Sequence, residues 1–180
     1  MTVAQQLYES GKITYMRTDS VNLSNLAIGS ARKEIVGRYG DEYSRTRKYA
    51  TKTKSAQEAH EAIRPTYINH QQVNGDPSQQ KLYDLIWKRT IASQMSDAKI
   101  EKTIVNINLN NASEYFVARG EVILFDGFMK VYLESKDEDE AESEKGVLPK
   151  LTKGQQLSEQ KVMAVQRFSQ APYRFTEASL

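Results

Sequence analysis

Hydrophobic residues recur at roughly helical spacing in the first half of the chain, and in the second half they alternate with polar residues. The helical spacing predicts four helices, over residues 3–10, 22–39, 55–64 and 78–96, with a short extended segment over residues 13–18. Glycine follows the first two helices, and the third begins with a Ser-x-x-Glu pattern and ends before a proline. The last helix is expected to turn these apolar side chains to one side: Leu82, Leu85, Ile86, Ile91 and Met95.

The alternating pattern predicts strands of an antiparallel sheet over residues 102–110, 114–125, 128–134 and 155–168. Residues 134–146 are too acidic to bury, so we expect a long exposed hairpin loop there. The predicted fold class is therefore α+β, with a helical domain followed by antiparallel strands.

Composition narrows the class of protein. The chain has 180 residues, of which 39% are hydrophobic, which is enough to bury a core. It has no cysteine, which excludes disulfides, thiolate metal sites and cysteine nucleophiles and fits a reducing compartment. No apolar run approaches the roughly 18 residues of a transmembrane span, and the first residues lack the layout of a signal peptide. We therefore expect a soluble, cytoplasmic protein.

Charge is unevenly spread along the chain, although the net charge is only +2. Residues 44–54 hold five basic residues and a tyrosine without an acid, a pattern that suits a polyanion such as nucleic acid and equally a solvated loop. In the acidic run, Asp137, Asp139 and Glu142 resemble a magnesium motif. Because the acids are consecutive and no glycine-rich phosphate loop accompanies them, we expect a solvated loop and no metal site.

Tyr15 and Arg17 are the first candidates for chemistry. Residues two apart in an extended segment share a face and lie about 6.5–7 Å apart. A phenol has a pKa of about 10, so a tyrosine nucleophile needs a nearby cation or base. Arg17 meets that need and can also bind a phosphodiester, while Thr18, Asp19 and Ser20 can structure the following turn. A strand tyrosine beside a solvated arginine explains the same residues without chemistry.

The third predicted helix carries a second group of candidates. Its polar residues fall at positions i, i+3, i+4 and i+7 of one face: Gln57, His60, Glu61 and Arg64. His60 and Arg64 would then lie one turn apart and form an anion-binding pair near Tyr15. A surface helix with ordinary i,i+4 pairing explains the same spacing.

Two motifs carry a resemblance to a known family. "GKITYMRTDS" (11–20), followed by "SAQEAHEAIRPT" (55–66), resembles the paired motifs of type IA DNA topoisomerases, in the spelling of the bacterial topoisomerase I branch. The likeness continues through "KLYDLIWKRTIASQM", "ARGEVILFDGFMKVY" and "RFTEASL" and so covers nearly the whole chain.

The resemblance implies roles for individual residues. Tyr15 matches the family's nucleophile, which attacks a phosphodiester of single-stranded DNA and becomes joined to the 5′ phosphate. Arg17 matches the arginine that positions and neutralises that phosphate, and His60 matches the histidine that contacts it. Supporting roles in DNA or phosphate binding fall to Arg64, Gln57, Thr18 and Asp19. Transesterification keeps the phosphodiester energy in the tyrosyl link, so strand passage and religation would need no ATP.

The resemblance also implies a domain organisation. Residues 1–98 match the mobile helical domain that carries the tyrosine, residues 99–172 an incomplete β-rich arch, and residues 173–180 the start of a further helix, as in a piece of a longer protein. In the family, a TOPRIM domain supplies a glutamate, a lysine and an acidic Mg²⁺ cluster, which this sequence lacks. We therefore expect Mg²⁺ only in the full-length protein, and weak DNA binding without cleavage from this piece alone.

The expected partners are single-stranded and negatively supercoiled DNA and the remaining domains of the same polypeptide. No membrane is expected, and the protein is predicted to be a monomer in the bacterial cytoplasm, at the nucleoid. Two alternatives remain. Residues 44–54 would suit a stand-alone nucleic-acid-binding module without catalysis. A fragment of a tyrosine recombinase or relaxase would also use a phenol nucleophile, but with further arginine and histidine residues in other spacings.

Overall fold

The computed structural model describes residues 1–49, 60–133, 148–149, 151–161, 163–166 and 168–169. The chain divides into two compact units, Met1–Leu148 and Pro149–Leu180. The first unit contains helices α1 (Thr2–Glu9), α2 (Asn25–Tyr39) and α3 (Pro77–Ser93), strands β1 (Lys99–Asn108) and β2 (Tyr115–Phe125), and two short 3-10 helices (Asp41–Tyr43 and Gly127–Lys130). The α+β class is therefore confirmed, whereas the predicted domain boundary at residue 98 stays a prediction.

Local capping fixes the ends of the two longer helices. Helix α2 begins after Ser24, whose Oγ accepts a hydrogen bond from the Ala27 N–H at 3.3 Å, and it ends at Gly40, which has a φ of 104°. Helix α3 begins after Asp76 in a capping box with Gln79, and Pro77 occupies its first turn. These signals are local in sequence, and the predicted helices at these positions are confirmed.

The core lies between the three helices and is centred on α3. Trp87 is fully buried, and its Nε1–H donates to the Ile68 carbonyl at 2.7 Å. Tyr83, one turn earlier, donates its hydroxyl hydrogen to the His70 carbonyl at 2.6 Å, and burial raises the pKa of Tyr83 to about 12. These two aromatic residues take the core face. The prediction for Leu85 is therefore wrong: it is 44% exposed because it lies on the opposite side of the helix.

Strands β1 and β2 form an antiparallel hairpin, which confirms two of the four predicted strands. The register runs from Lys99 opposite Phe125 to Asn108 opposite Tyr115. The hairpin exposes several large apolar side chains, of which Ile104 and Leu124 are the most open. Among the described residues, the sheet has these two strands alone.

The prediction of a strand over residues 128–134 is wrong in the described residues. Gly127 has a φ of 51°, and a Cβ there would lie 2.5 Å from the Ser96 carbonyl oxygen. The chain turns at this close contact, and the Phe128 N–H donates to the Ser96 oxygen at 2.9 Å. A 3-10 helix, Gly127–Lys130, follows in place of a strand.

The strand predicted over residues 155–168 is also absent from the described part of that range. A strand needs a neighbour for its backbone hydrogen bonds, and the described residues of this unit include no strand to supply one. The acidic run 134–146 and residues 173–180 lie outside the described residues.

Candidate active site

The two sequence motifs meet through a short antiparallel bridge between Ile13 and Pro65. The Thr14 N–H donates to the Arg64 carbonyl at 2.9 Å, and the Thr66 N–H donates to the Lys12 carbonyl at 3.0 Å. Ile13 and Pro65 are buried, so this bridge joins the core to the segment that carries Tyr15.

The Thr14 side chain adds two further bonds across the bridge. Its hydroxyl donates to the Ala62 carbonyl at 2.8 Å and accepts from the Arg64 N–H at 2.9 Å. Together with the backbone bonds, these contacts fix the position of the residue immediately before Tyr15. Thr14 was not among the predicted site residues, since a threonine in an extended segment is common.

The bridge brings Tyr15 and His60 together. Their ring centroids lie 5.2 Å apart with 37° between the planes. Tyr8 of α1 also packs edge-on against Tyr15, at 5.4 Å between centroids and 70°. Tyr15 is half-buried and His60 is exposed, so the phenol contacts one ring from helix α1 and one open imidazole.

Arg17 lies two residues beyond Tyr15, where the chain bends instead of continuing as a strand. Its side chain is exposed and makes no hydrogen bond, ion pair or ring contact with the described residues. Such a guanidinium is free to bind an anion. Thr18 supports the turn that follows, because its Oγ1 accepts from the Ser20 N–H at 3.0 Å, and Asp19 is exposed.

The predicted helix over residues 55–64 is wrong where the structure describes it, since residues 60–64 are not helical. Two causes act together: a residue before proline disfavours the helical conformation, and the backbone groups here bond to Thr14 and Asn22 instead. Gln57 lies outside the described residues.

Arg64 is consequently not placed beside His60 on a helix face. Its Nε–H donates to Glu61 Oε2 at 2.8 Å, and its Nη1 donates to the Pro65 carbonyl at 2.9 Å. The side chain is only 14% exposed. The guanidinium therefore holds its own segment together, and its predicted supporting role in phosphate binding stays a prediction.

Glu61 links this segment to helix α2. One carboxylate oxygen accepts from the Ser24 N–H at 2.6 Å, and the other accepts from Arg64. Burial alone would raise the pKa of the Glu61 carboxyl, but hydrogen bonds from Ser24 and Arg64 and the charge of Arg64 outweigh burial and lower it. Glu61 was predicted only as part of a polar helix face, and the Glu-x-x-Arg spacing before proline was the signal for this pair.

The described part of the basic stretch 44–54 packs on the end of α3. The Arg47 guanidinium donates to the Met95 carbonyl and pairs with Asp97, which also binds Arg45. The Tyr49 hydroxyl donates to the Ser93 carbonyl at 2.9 Å. Arg47 and Tyr49 therefore satisfy carbonyls at and just beyond the C-terminus of α3. The contacts weaken the alternative of a nucleic-acid-binding module that rests on this stretch.

Comparison with known proteins decides the family. A family model described as DNA topoisomerase matches residues 1–180, the whole chain. DNA topoisomerase 1 of Rickettsia conorii is 47% identical over 194 aligned residues, and that of Zymomonas mobilis is 44% identical over 187. Both alignments cover 100% of this chain. The chain belongs to the DNA topoisomerase family.

Solved structures agree with this membership. Full-length topoisomerase I from Thermotoga maritima matches with a TM-score of 0.61 and 37% identity, over 73% of this chain and 22% of the Thermotoga chain. The present chain spans 25% of the Rickettsia relative and 15% of the Zymomonas relative. The resemblance to the bacterial topoisomerase I branch is confirmed, and the recombinase and relaxase alternative is excluded.

No group of three or more histidine, aspartate or glutamate side chains in the described ranges is arranged to hold a metal ion. Within the same ranges, no helix is long and apolar enough to cross a membrane.

Proposed function

We propose that this chain supplies the nucleophile of a type IA DNA topoisomerase, and that the full-length protein relaxes negatively supercoiled DNA by cutting and rejoining one strand. One observation carries the proposal: the Tyr15 ring lies 5.2 Å from the His60 ring, and Arg17, two residues beyond Tyr15, makes no polar contact with the described residues. A phenol and a guanidinium on one segment and an imidazole on the segment that meets it suit attack on a phosphodiester.

The proposed reaction is a transesterification. The Tyr15 oxygen loses its proton, attacks phosphorus and forms a phosphotyrosyl bond to the 5′ phosphate. The bond from phosphorus to the 3′ oxygen breaks, and that oxygen takes up a proton to leave a 3′ hydroxyl, so the step consumes no net proton. Attack by that hydroxyl reverses the step and rejoins the strand. The number of phosphodiester bonds is conserved, so the cycle needs no ATP.

Arg17 and His60 support the proposed reaction at the phosphate. The Arg17 guanidinium neutralises charge on the non-bridging oxygens, which gain charge in the transition state. His60 contacts the same phosphate. Thr18, Asp19 and Gln57 are proposed to play supporting roles in binding the DNA or its phosphate.

Mg²⁺ belongs to the rest of the proposed enzyme. The described residues offer no cluster that fits the ion, so no step here is assigned to it. We propose that the family's TOPRIM domain binds Mg²⁺ in the full-length protein, that the enzyme is a cytoplasmic monomer acting on single-stranded regions, and that residues 1–180 alone bind DNA weakly without cleaving it.

A labelled oligonucleotide tests the proposal. The full-length protein, as wild type and as Tyr15→Phe, is mixed with single-stranded DNA and Mg²⁺ and then denatured. Because the protein joins the 5′ phosphate of the downstream piece, a 3′ label should remain on the protein and a 5′ label should not. The wild type is expected to give the labelled adduct and the Phe variant none. An adduct with the Phe variant would contradict the proposal.

A further inference from the structure

The position of His60 depends on a segment without regular secondary structure. Residues 60–64 are neither helix nor strand, so no regular ladder holds the imidazole near Tyr15. The segment is fixed instead by side-chain and isolated backbone bonds on two sides. Thr14 binds it on one side, and the start of helix α2 binds it on the other.

The contacts to helix α2 are made by Glu61 and its neighbour. The Ala62 N–H donates to the Asn22 carbonyl at 2.8 Å, and the Glu61 carboxylate accepts from the Ser24 N–H at 2.6 Å. Ser24 is the N-cap of a helix whose inner face, with Ala31 and Ile35 fully buried, lies in the core. The carboxylate at this helix N-terminus is also favoured by the helix dipole.

We propose that Glu61 is a positioning residue, whose carboxylate fixes His60 against Tyr15 by joining the start of helix α2 to Arg64. This inference rests on the proposed function, since it concerns the geometry of the proposed phosphate site. Glu61 occupies both of its oxygens with protein donors, so it acts through His60 and does not touch DNA.

Loss of the carboxylate charge affects both ends of this link. Without it, Arg64 keeps a partly buried cation that lacks its partner, and the Ser24 N–H loses a charged acceptor. The segment then gains freedom, and His60 leaves its place beside the Tyr15 ring. A displacement of about 1 Å in a reacting group costs on the order of 100-fold in rate.

The rate test uses a double-mutant cycle in the full-length protein. Adduct formation with a 3′-labelled oligonucleotide is timed for wild type, Glu61→Gln, His60→Ala and the double variant. We expect Glu61→Gln to slow the reaction about 10- to 100-fold in the wild-type background and less than about twofold in the His60→Ala background. Glu34→Gln is the matched control, because Glu34 also pairs with an arginine, Arg38, but on helix α2. That variant should leave the rate unchanged.

A spectroscopic measurement keeps the test independent of activity. The chain has two histidines, His60 and His70, so their imidazole NMR signals can be assigned with His70→Gln. Tyr15→Leu, which removes the neighbouring phenol ring, should shift the His60 signals, and Glu61→Gln should shift them in the same direction. The His70 signals should not move in either variant.

The possible failures are distinguishable. Equal losses of rate from Glu61→Gln in both backgrounds, or unchanged His60 signals, would overturn the positioning role while leaving Tyr15 as the nucleophile. An adduct with Tyr15→Phe would overturn the proposed function and the positioning role together.

Discussion

Arg17 and Arg64 lie in the two segments that meet at Tyr15, but their surroundings differ. Arg17 is exposed and makes no polar contact with the described residues. Arg64 is 14% exposed and is bound to Glu61 and to the Pro65 carbonyl. The two arginines therefore differ in what they can do. The Arg17 guanidinium is available to bind a phosphate, whereas Arg64 stabilises the segment that carries His60.

Among the substitutions, Arg17→Ala is expected to change the rate of DNA cleavage by the full-length protein most. Removal of the free cation should slow adduct formation about 100-fold, because the charge on the attacked phosphate is then less well neutralised. The melting temperature of the 180-residue chain should hardly change, since an exposed side chain without polar contacts to the described residues adds little stability. Arg45→Ala is the matched control: Arg45 is also exposed but pairs with Asp97, and its loss should leave cleavage unchanged. Equal losses from both variants would break the comparison.

Arg64→Ala should show the opposite behaviour in chemical denaturation of the chain. The substitution leaves Glu61 without its charged partner, and we expect a loss of about 2–3 kcal/mol in the free energy of unfolding. Arg17→Ala, measured alongside, should lose less than about 0.5 kcal/mol. If Arg64→Ala were as stable as wild type, the contacts of Arg64 would not stabilise residues 60–64.

Thr14→Val should have a smaller effect on stability. Valine keeps the shape of threonine but cannot bond to the Ala62 carbonyl or the Arg64 N–H, so we expect a loss of about 1–2 kcal/mol. Thr14→Ser keeps the hydroxyl and should recover most of the lost free energy. If Thr14→Ser lost as much unfolding free energy as Thr14→Val, the methyl group and not the hydroxyl would be the source of the stability.

The smallest expected effect is the pH dependence due to Glu61. Its pKa in the folded chain lies below the ordinary 4.5, so its contribution to stability is complete above that value and is lost as the pH falls through the folded pKa. The difference in unfolding free energy between wild type and Glu61→Gln should therefore be constant near neutral pH and shrink below pH 4.5. A difference that grows on acidification would contradict the lowered pKa.

Local signals were sufficient to predict much of the fold. Helix α2 ends at a glycine and helix α3 follows a capping box, and both signals lie within a few residues of the helix ends. The hairpin strands were also predicted from local patterns. Apolar and polar residues alternate in β1, and β2 is rich in β-branched and aromatic residues. The segment after Gly127 was not, since its turn depends on a close approach to Ser96 that no local pattern reports.

The site was harder to predict because its bonds connect residues far apart in sequence. Polar residues at helical spacing suggested a helix through His60 and Arg64, whereas the backbone there bonds to Thr14 and Asn22. The candidates Tyr15, Arg17 and His60 came from chemistry and from the family resemblance. Thr14 and Glu61 contribute through long-range contacts that only the structure gives.

Identifying the amino acid that carries the DNA tests directly whether Tyr15 is the nucleophile. The adduct of the full-length protein is digested with nuclease and trypsin, and the peptides are analysed by mass spectrometry. Cleavage after Lys12 and Arg17 gives the peptide Ile-Thr-Tyr-Met-Arg, residues 13–17, in which Tyr15 is the only hydroxyl-bearing aromatic residue. We expect a nucleotide joined through phosphate to Tyr15 in this peptide. A nucleotide on another tyrosine, such as neighbouring Tyr8, would contradict it.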